Sequence, residues 1–242
     1  MIEFLKAFSS SYERRAQLFP AVLVAVPLFV LALLFGIEVS WKMAGISLIL
    51  GAAIGYLMAT MVAERGRALQ TEVFAHVLPT TVLLRHSDDR VDVYSKARYH
   101  SVLSNGTGLA FPNMQTESQD QRAADAIYAS GVEWLKEQTR DTTKFAVLFK
   151  KLTDYGFVRN VVAIRNYGIA LDLITLAFLT WVSSGVSTKV LPAVSETGID
   201  LAFFAITLHV LWWFLHCRIV RLRRVGFEYG RALLRCCDNL GP

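Results

Sequence analysis

The stretch AGISLILGAAIGYLMATMVAERGR, Ala44–Arg67, decides the fold. It carries no charge from Ala44 to Val62 and then meets Glu64, Arg65 and Arg67 in quick succession. An uncharged apolar run approaching about 20 residues is the length a helix needs to cross a bilayer. Within it Ser47, Gly51, Gly55, Ala59 and Ala63 recur at every fourth position. Residues four apart share one face of a helix, so this helix presents a strip almost without side chains. Lipid tails are as apolar as leucine, and helices inside a bilayer associate through close backbone approach rather than through hydrophobicity. The strip therefore predicts a span packed tightly against another helix, of the same chain or of a second copy.

Working outward, the 242-residue chain is 54% hydrophobic, above the roughly 45–50% of soluble proteins. Three further apolar runs accompany Trp41–Val62: Phe19–Gly36, Tyr167–Val186 and Asp200–Cys217. Together they predict an all-α polytopic membrane protein, with four transmembrane helices in two hairpins and a mainly helical cytoplasmic insert. The expected divisions are an N-terminal segment 1–18, hairpin 19–62, insert 63–166, hairpin 167–217 and basic tail 218–242. The opening MIEFLKAFSSSYERRAQLF is polar for too long to read as a cleavable signal.

Charge sets the expected orientation. The two short connections hold Lys42 and Lys189 against Glu38, Glu196 and Asp200. The insert and the tails hold most of the arginines, among them Arg14, Arg15, Arg65, Arg67, Arg159, Arg165, Arg218, Arg221, Arg223, Arg224, Arg231 and Arg235. By the positive-inside rule the insert and both termini face the cytoplasm. The basic tail orients the protein; the same composition also suits anionic lipid headgroups or nucleic acid.

Within the insert, the second span is expected to run on through ERGRALQTEVFAHVL, with no breaker until Pro79. Thr80–Leu84 reads as a short strand or an apolar patch, and SKARYHSVL as a short helix capped by Ser95. Ser104–Asp120 is turn-rich and reads as a loop. QRAADAIYASGVEWLKEQTR reads as an amphipathic helix burying Ile127, Val132, Trp134 and Leu135. A second helix, with Phe145, Leu148, Phe149 and Leu152 on one face, leads towards the third span.

The densest polar cluster is RHSDDRVDVYSKARYH, Arg85–His100. Three readings are open. Arg85, Arg90, Lys96 and Arg98, with His86, Asp88 and His100, form a ligand site in which cations clamp an anion, since guanidinium grips phosphate bidentately. Alternatively His86, Asp88 or Asp89, and His100 ligate a divalent metal, although their spacing matches no metal motif. The third reading is a salt-bridged turn. No phosphate-binding glycine loop, nucleophile elbow or His-Glu-x-x-His helix is present. No catalytic residue, resident metal or cofactor is therefore assigned. Cys217, Cys236 and Cys237 have no metal-site or disulfide spacing; the vicinal pair reads as inert, redox-active or lipid-modified.

Inside the expected spans the unusual residues are Asp172, His209 and His216. A carboxylate at mid-span costs about 2.5–3.5 kcal/mol on insertion scales, and such residues are functional candidates by default. Antiparallel packing of the last two spans brings His209 and His216 towards Asp172, where an Asp172–His209 contact forms a proton-sensitive latch or lines a water-filled path. The alternatives are that Asp172 reaches the headgroups or pairs with Arg165.

The segments LPTTVLLRHSDDRVDVYSKARYHSVL and YASGVEWLKEQTRDTTKFAVLFKKLTDYGFVRN resemble those of uncharacterised bacterial multi-pass membrane proteins. That resemblance spans roughly Leu78–Asn160 and implies a bacterial inner-membrane location. The layout is similar to that of membrane subunits of anti-phage systems such as Kiwa and Hailong, in organisation only. The packing strip, Asp172 and an insert of regulatory size without enzyme motifs point to an oligomeric, channel-like inner-membrane effector, expected in bacterial defence, whose insert senses a ligand or partner while the spans perturb membrane integrity or potential. The alternative is a membrane scaffold that recruits a soluble enzyme or nucleic-acid-binding protein. Expected partners are the lipid bilayer, further copies of the chain, and a cytoplasmic protein or a nucleotide or nucleic-acid ligand.

Overall fold

A computed structural model describes residues 11–36, 44–185 and 194–240, the side chains of 44–52 excepted. The expected connections around Lys42 and Lys189, the start of the second span at Trp41, and the side-chain surroundings of Ser47 and Gly51 lie outside the described residues. Nine α-helices and no strand are found among the described residues, with a short 3-10 turn, Cys236–Asn239, after the last helix. Helix α1, Ser11–Leu34, contains a π-helical turn over Arg14–Leu18. It is followed by α2, Ala44–Val73; α3, Pro79–Leu84; α4, Val93–Thr107; and α5, Met114–Gln119. The chain continues through α6, Gln121–Gln138; α7, Ala146–Ser183; α8, Glu196–His216; and α9, Ile219–Arg235.

Three of these helices are long and apolar enough to cross a membrane: α1, α7 and α8. They carry the first, third and fourth expected spans. The second expected span, Trp41–Val62, lies partly outside the described residues; from Ala44 onward it is helical, within α2. Helix α7 has 38 residues and is about 57 Å long at 1.5 Å per residue. That is nearly twice the roughly 30 Å hydrocarbon layer, so the helix begins well before its apolar part.

The chain divides into two compact units, and the divisions fall inside helices α2, α7 and α9. The first unit comprises residues up to Leu69 and Gly156–Arg221. Its core gathers Ala21, Val24, Val62, Val161, Ile164 and Trp213. Its outer surface is also apolar: Leu28, Phe29, Leu57, Ile174, Leu201 and Phe204 are all exposed. An exterior of this kind marks contact with lipid or protein rather than water.

Among the described glycines of this unit, those off the strip also bring helices close together. Ala59 and Ala63 are buried, but a Cβ on Gly55 would meet nothing nearer than Leu18 Cδ1 at 3.9 Å. The tight positions are Gly66, Gly156 and Gly168. A Cβ on Gly66 would fall 1.9 Å from Asn160 Oδ1, and one on Gly168 would fall 2.3 Å from the Trp213 ring. Asn160 is fully buried and donates from Nδ2 to the carbonyl of Ala16 in the π-helical turn.

The second unit comprises Gln70–Tyr155 and residues from Leu222 onward. Its core joins Leu83, Leu103, Tyr128, Leu135, Leu233 and Leu234. The residues that read as a basic tail thus supply core side chains. In α9 the buried positions Leu222, Gly226, Gly230, Leu233 and Leu234 follow the helical period, so arginines occupy the rest of its circumference.

Several local expectations change. Thr80–Leu84 is helical, because Pro79 fits the first turn, where no amide hydrogen is needed. The cap of α4 is Asp92, whose Oδ1 accepts the Ser95 N–H at 2.8 Å, so Ser95 is the capped residue and not the cap. Helix α4 extends to Thr107 and ends at Gly108, whose φ of +70° suits glycine. The expected loop 104–120 shrinks further because Asn113 caps α5. In α6 the deepest residues are Ala124, Tyr128, Gly131, Val132 and Leu135. Ile127 and Trp134 are half-buried.

Candidate functional site

The Arg85–His100 residues are placed largely by internal partners. Arg85 makes a bidentate pair with Asp125, its Nε to Oδ1 at 2.8 Å and a terminal nitrogen to Oδ2 at 2.6 Å. Burial opposes the Arg85 charge, but the Asp125 hydrogen bonds outweigh it and raise its pKa. His86 shares a hydrogen bond with the Pro112 carbonyl at 3.0 Å, and His100 one with the Leu84 carbonyl at 2.8 Å. Their rings meet edge to face at 5.0 Å, and His100 stacks on Tyr128 at 5.3 Å. Burial pushes the His100 pKa down.

Lys96 is buried and donates to the carbonyls of Arg85 (2.6 Å) and Asp88. Burial lowers its pKa against the pull of Asp88 and Glu117. Asp88 pairs with Arg90 at 2.9 Å, while Arg98 lies 3.5 Å from Asp238. Among the described residues no three His, Cys, Asp or Glu side chains converge on one point, and His86, Asp88, Asp89 and His100 do not form a ligand set.

The centre of this network is a residue the sequence did not single out. Glu117 is buried in α5 and accepts from the backbone N–H of His86 (2.8 Å) and Ser87 (3.2 Å) and from the Tyr128 hydroxyl (2.7 Å). Burial acts to raise its pKa, but those three donors win and hold it below the usual carboxylate value. Tyr128 is pushed up by burial and by its bond to Glu117. Arg85, Lys96 and Glu117 all have partners, which is the condition under which polar groups are tolerated in a core.

The three thiols are free and buried. Burial pushes Cys237 up to about 12 and raises Cys236 as well. Neither has the thiolate character on which reactivity depends.

The first unit contains a different arrangement. The structure brings Asp172 of α7 and His209 of α8 together: Nδ1 of His209 lies 2.9 Å from Oδ1 of Asp172. Asp172 is fully buried, and the His209 side chain is 10% exposed. The second oxygen of Asp172, Nε2 of His209 and Nε1 of Trp213 are buried and find no partner among the described residues. His209 packs edge to face on Trp213 at 5.5 Å, and Trp213 in turn sits against Gly168, one helical turn before Asp172.

The alternative partner, Arg165, donates to the Cys217 carbonyl at 3.3 Å and lies over the Phe214 ring. His216 is exposed, shares a bond with the Trp212 carbonyl at 3.3 Å, and does not join the pair. Trp213 and Gly168 are not apparent from the sequence. The only signal available there is that Gly168 precedes Asp172 by four residues, on the same face.

Chemically, a carboxylate bonded to an imidazole, with one free acceptor and one free ring nitrogen, can take up, hold or pass a proton. No protein-family model, characterised protein or solved structure matches this chain.

Proposed function

We propose that the chain is a four-span bacterial inner-membrane protein with both termini cytoplasmic, acting as an oligomeric, channel-like effector, in keeping with a layout similar to that of anti-phage membrane subunits. In this reading the first unit alters membrane integrity or potential, and the second senses a ligand or partner. The observation that carries the proposal is the buried Asp172–His209 pair with its unpartnered atoms. A group so costly in an apolar bundle is retained for what it does there. Trp213 against Gly168 fixes the helix spacing around it.

Induced expression in bacteria loaded with a potential-sensitive dye tests the reading. Wild-type protein is expected to depolarise the membrane once the second unit is triggered. Asp172→Asn, expressed to the same level, is expected to lose the effect. An unchanged potential with wild-type protein in every condition, including phage challenge, contradicts it. A second reading, recruitment of a soluble partner, draws on the exposed Arg223, Arg224 and Arg235 of α9. It predicts a stoichiometric cytoplasmic protein in purified membranes.

A further inference from the structure

We infer that the second unit holds a phosphate-ester site between Arg90, just before the start of α4, and the arginines of α9. A cavity of about 130 Å³ is lined by Arg90, Arg231 and Arg235 together with Asp92, Ser95 and Tyr99. Of the seven residues that suggest a ligand site in the sequence, Arg90 alone lines it. Arg231 and Arg235 are four apart and share one face of α9.

Three arginines and one aspartate are among the residues lining the cavity. That carboxylate is committed, because Asp92 Oδ1 caps α4 through the Ser95 N–H. Arg90 is fixed in place by Asp88 and by the Phe227 ring, whose centroid lies 3.8 Å from its guanidinium carbon. Arg231 supplies the independent sign of a ligand. Its Nε is buried and has no hydrogen-bond partner among the described residues, and neither it nor Arg235 forms an ion pair there. A buried N–H of a cationic group without a partner calls for an acceptor, and an anion is the acceptor a guanidinium binds most strongly.

The same two arginines also wall a second cavity of about 430 Å³. Its other sides include the apolar Phe145, Val147 and Leu148 and the cations Lys144 and Lys151. Lys151 is paired with Glu228 at 2.7 Å. A phosphate held by the arginines therefore has a roomy, partly apolar neighbour for its substituent. That combination fits a phosphate monoester better than a bare inorganic anion. The ester is either a soluble phosphorylated metabolite or a lipid headgroup.

This inference rests on reading the second unit as the sensing part. Its test measures binding alone, so it stands or falls independently of any effect on membrane potential. Full-length protein in nonionic detergent is titrated calorimetrically, at constant ionic strength, with inorganic phosphate, with adenosine monophosphate, and with phosphatidylcholine vesicles with and without phosphatidic acid. Saturable binding of phosphate over chloride is expected, with tighter binding of one ester. Preference for the nucleotide identifies a soluble source, and preference for phosphatidic acid a lipid one.

Arg231→Gln with Arg235→Gln is expected to weaken binding about tenfold or more, the loss of one to two charge-assisted bonds. Arg235→Lys, which keeps the charge and the fold, is expected to lose a few-fold, and Arg224→Gln, outside the cavity, to lose nothing. Equal responses to phosphate and chloride overturn the inference, as does an Arg224→Gln loss as large as that of the double variant.

Discussion

Two buried polar centres in this molecule follow opposite rules. Around Glu117 in the second unit, three donors meet one carboxylate, Lys96 is engaged by two backbone carbonyls, and Arg85 is locked on Asp125. Around Asp172 in the first unit, one hydrogen bond joins two ionisable groups, and an oxygen and two ring nitrogens find no partner among the described residues. Desolvation is costly in both places, but only the first centre offsets it with a complete set of partners. A complete network specifies a fold. A network left incomplete among apolar helices costs stability and leaves atoms available to a proton, an ion or water. Buried charge alone therefore does not distinguish the two centres; the count of satisfied atoms does.

The sharpest way to break the comparison is to remove each carboxylate in turn. Glu117→Ala is expected to destabilise the second unit by about 3 kcal/mol, since it strands the Tyr128 hydroxyl and two backbone donors. Hydrogen exchange over Gln70–Tyr155 in the detergent-solubilised chain reads that loss. Next in size, Gly168→Ala drives a Cβ into Trp213 and is expected to cost about 1–3 kcal/mol as an overpacked contact. A lowered unfolding temperature checks it, and Gly55→Ala, whose Cβ would make only ordinary contact with Leu18, is the control expected to show little change.

Acidification offers a graded test. His100 has its pKa lowered by burial, so the neutral form is the one that folds. Its contribution is complete above the unfolded value of about 6.5 and is lost as pH falls through the lower folded value. Glu117, also lowered, contributes above the ordinary carboxylate range and loses that contribution as pH falls through its folded value. The second unit is therefore expected to weaken in two steps below about pH 6, and His100→Gln to remove the earlier one in a pH series of denaturation midpoints. The smallest effect is expected from Asp92→Ala, about 1 kcal/mol for a lost helix cap, seen as faster exchange at the start of α4.

Much of this organisation is legible in the residues. Apolar runs of membrane length mark the helices α1, α7 and α8, because hydrocarbon contact tolerates few polar side chains. The meeting of Asp172 with His209 also follows from spacing, since a buried carboxylate needs a partner and an antiparallel neighbour offers one. The close contacts are less visible. Five small residues in register on α2 are conspicuous; the single glycines Gly66 and Gly168 are not, because their role depends on what faces them, Asn160 and Trp213.

Glu117 is hidden for a related reason. It lies in a polar, turn-rich stretch, and only the fold brings His86, Ser87 and Tyr128 to its oxygens. The helical state of Thr80–Leu84 is ambiguous in the sequence because a five-residue apolar run fits either period. The basic tail is hardest to read, since its arginines obscure the Leu222–Gly226–Gly230–Leu233 period that builds it into a core.

The most direct test pairs two readings on one variant, Asp172→Asn: unfolding of the purified protein in detergent, and leak in phage-challenged cells under a condition in which the wild type depolarises the membrane. A half-satisfied functional pair predicts an unfolding midpoint close to wild type and an abolished ion or proton leak. A variant that unfolds as readily as Glu117→Ala, or that leaks as fast as the parent, contradicts it.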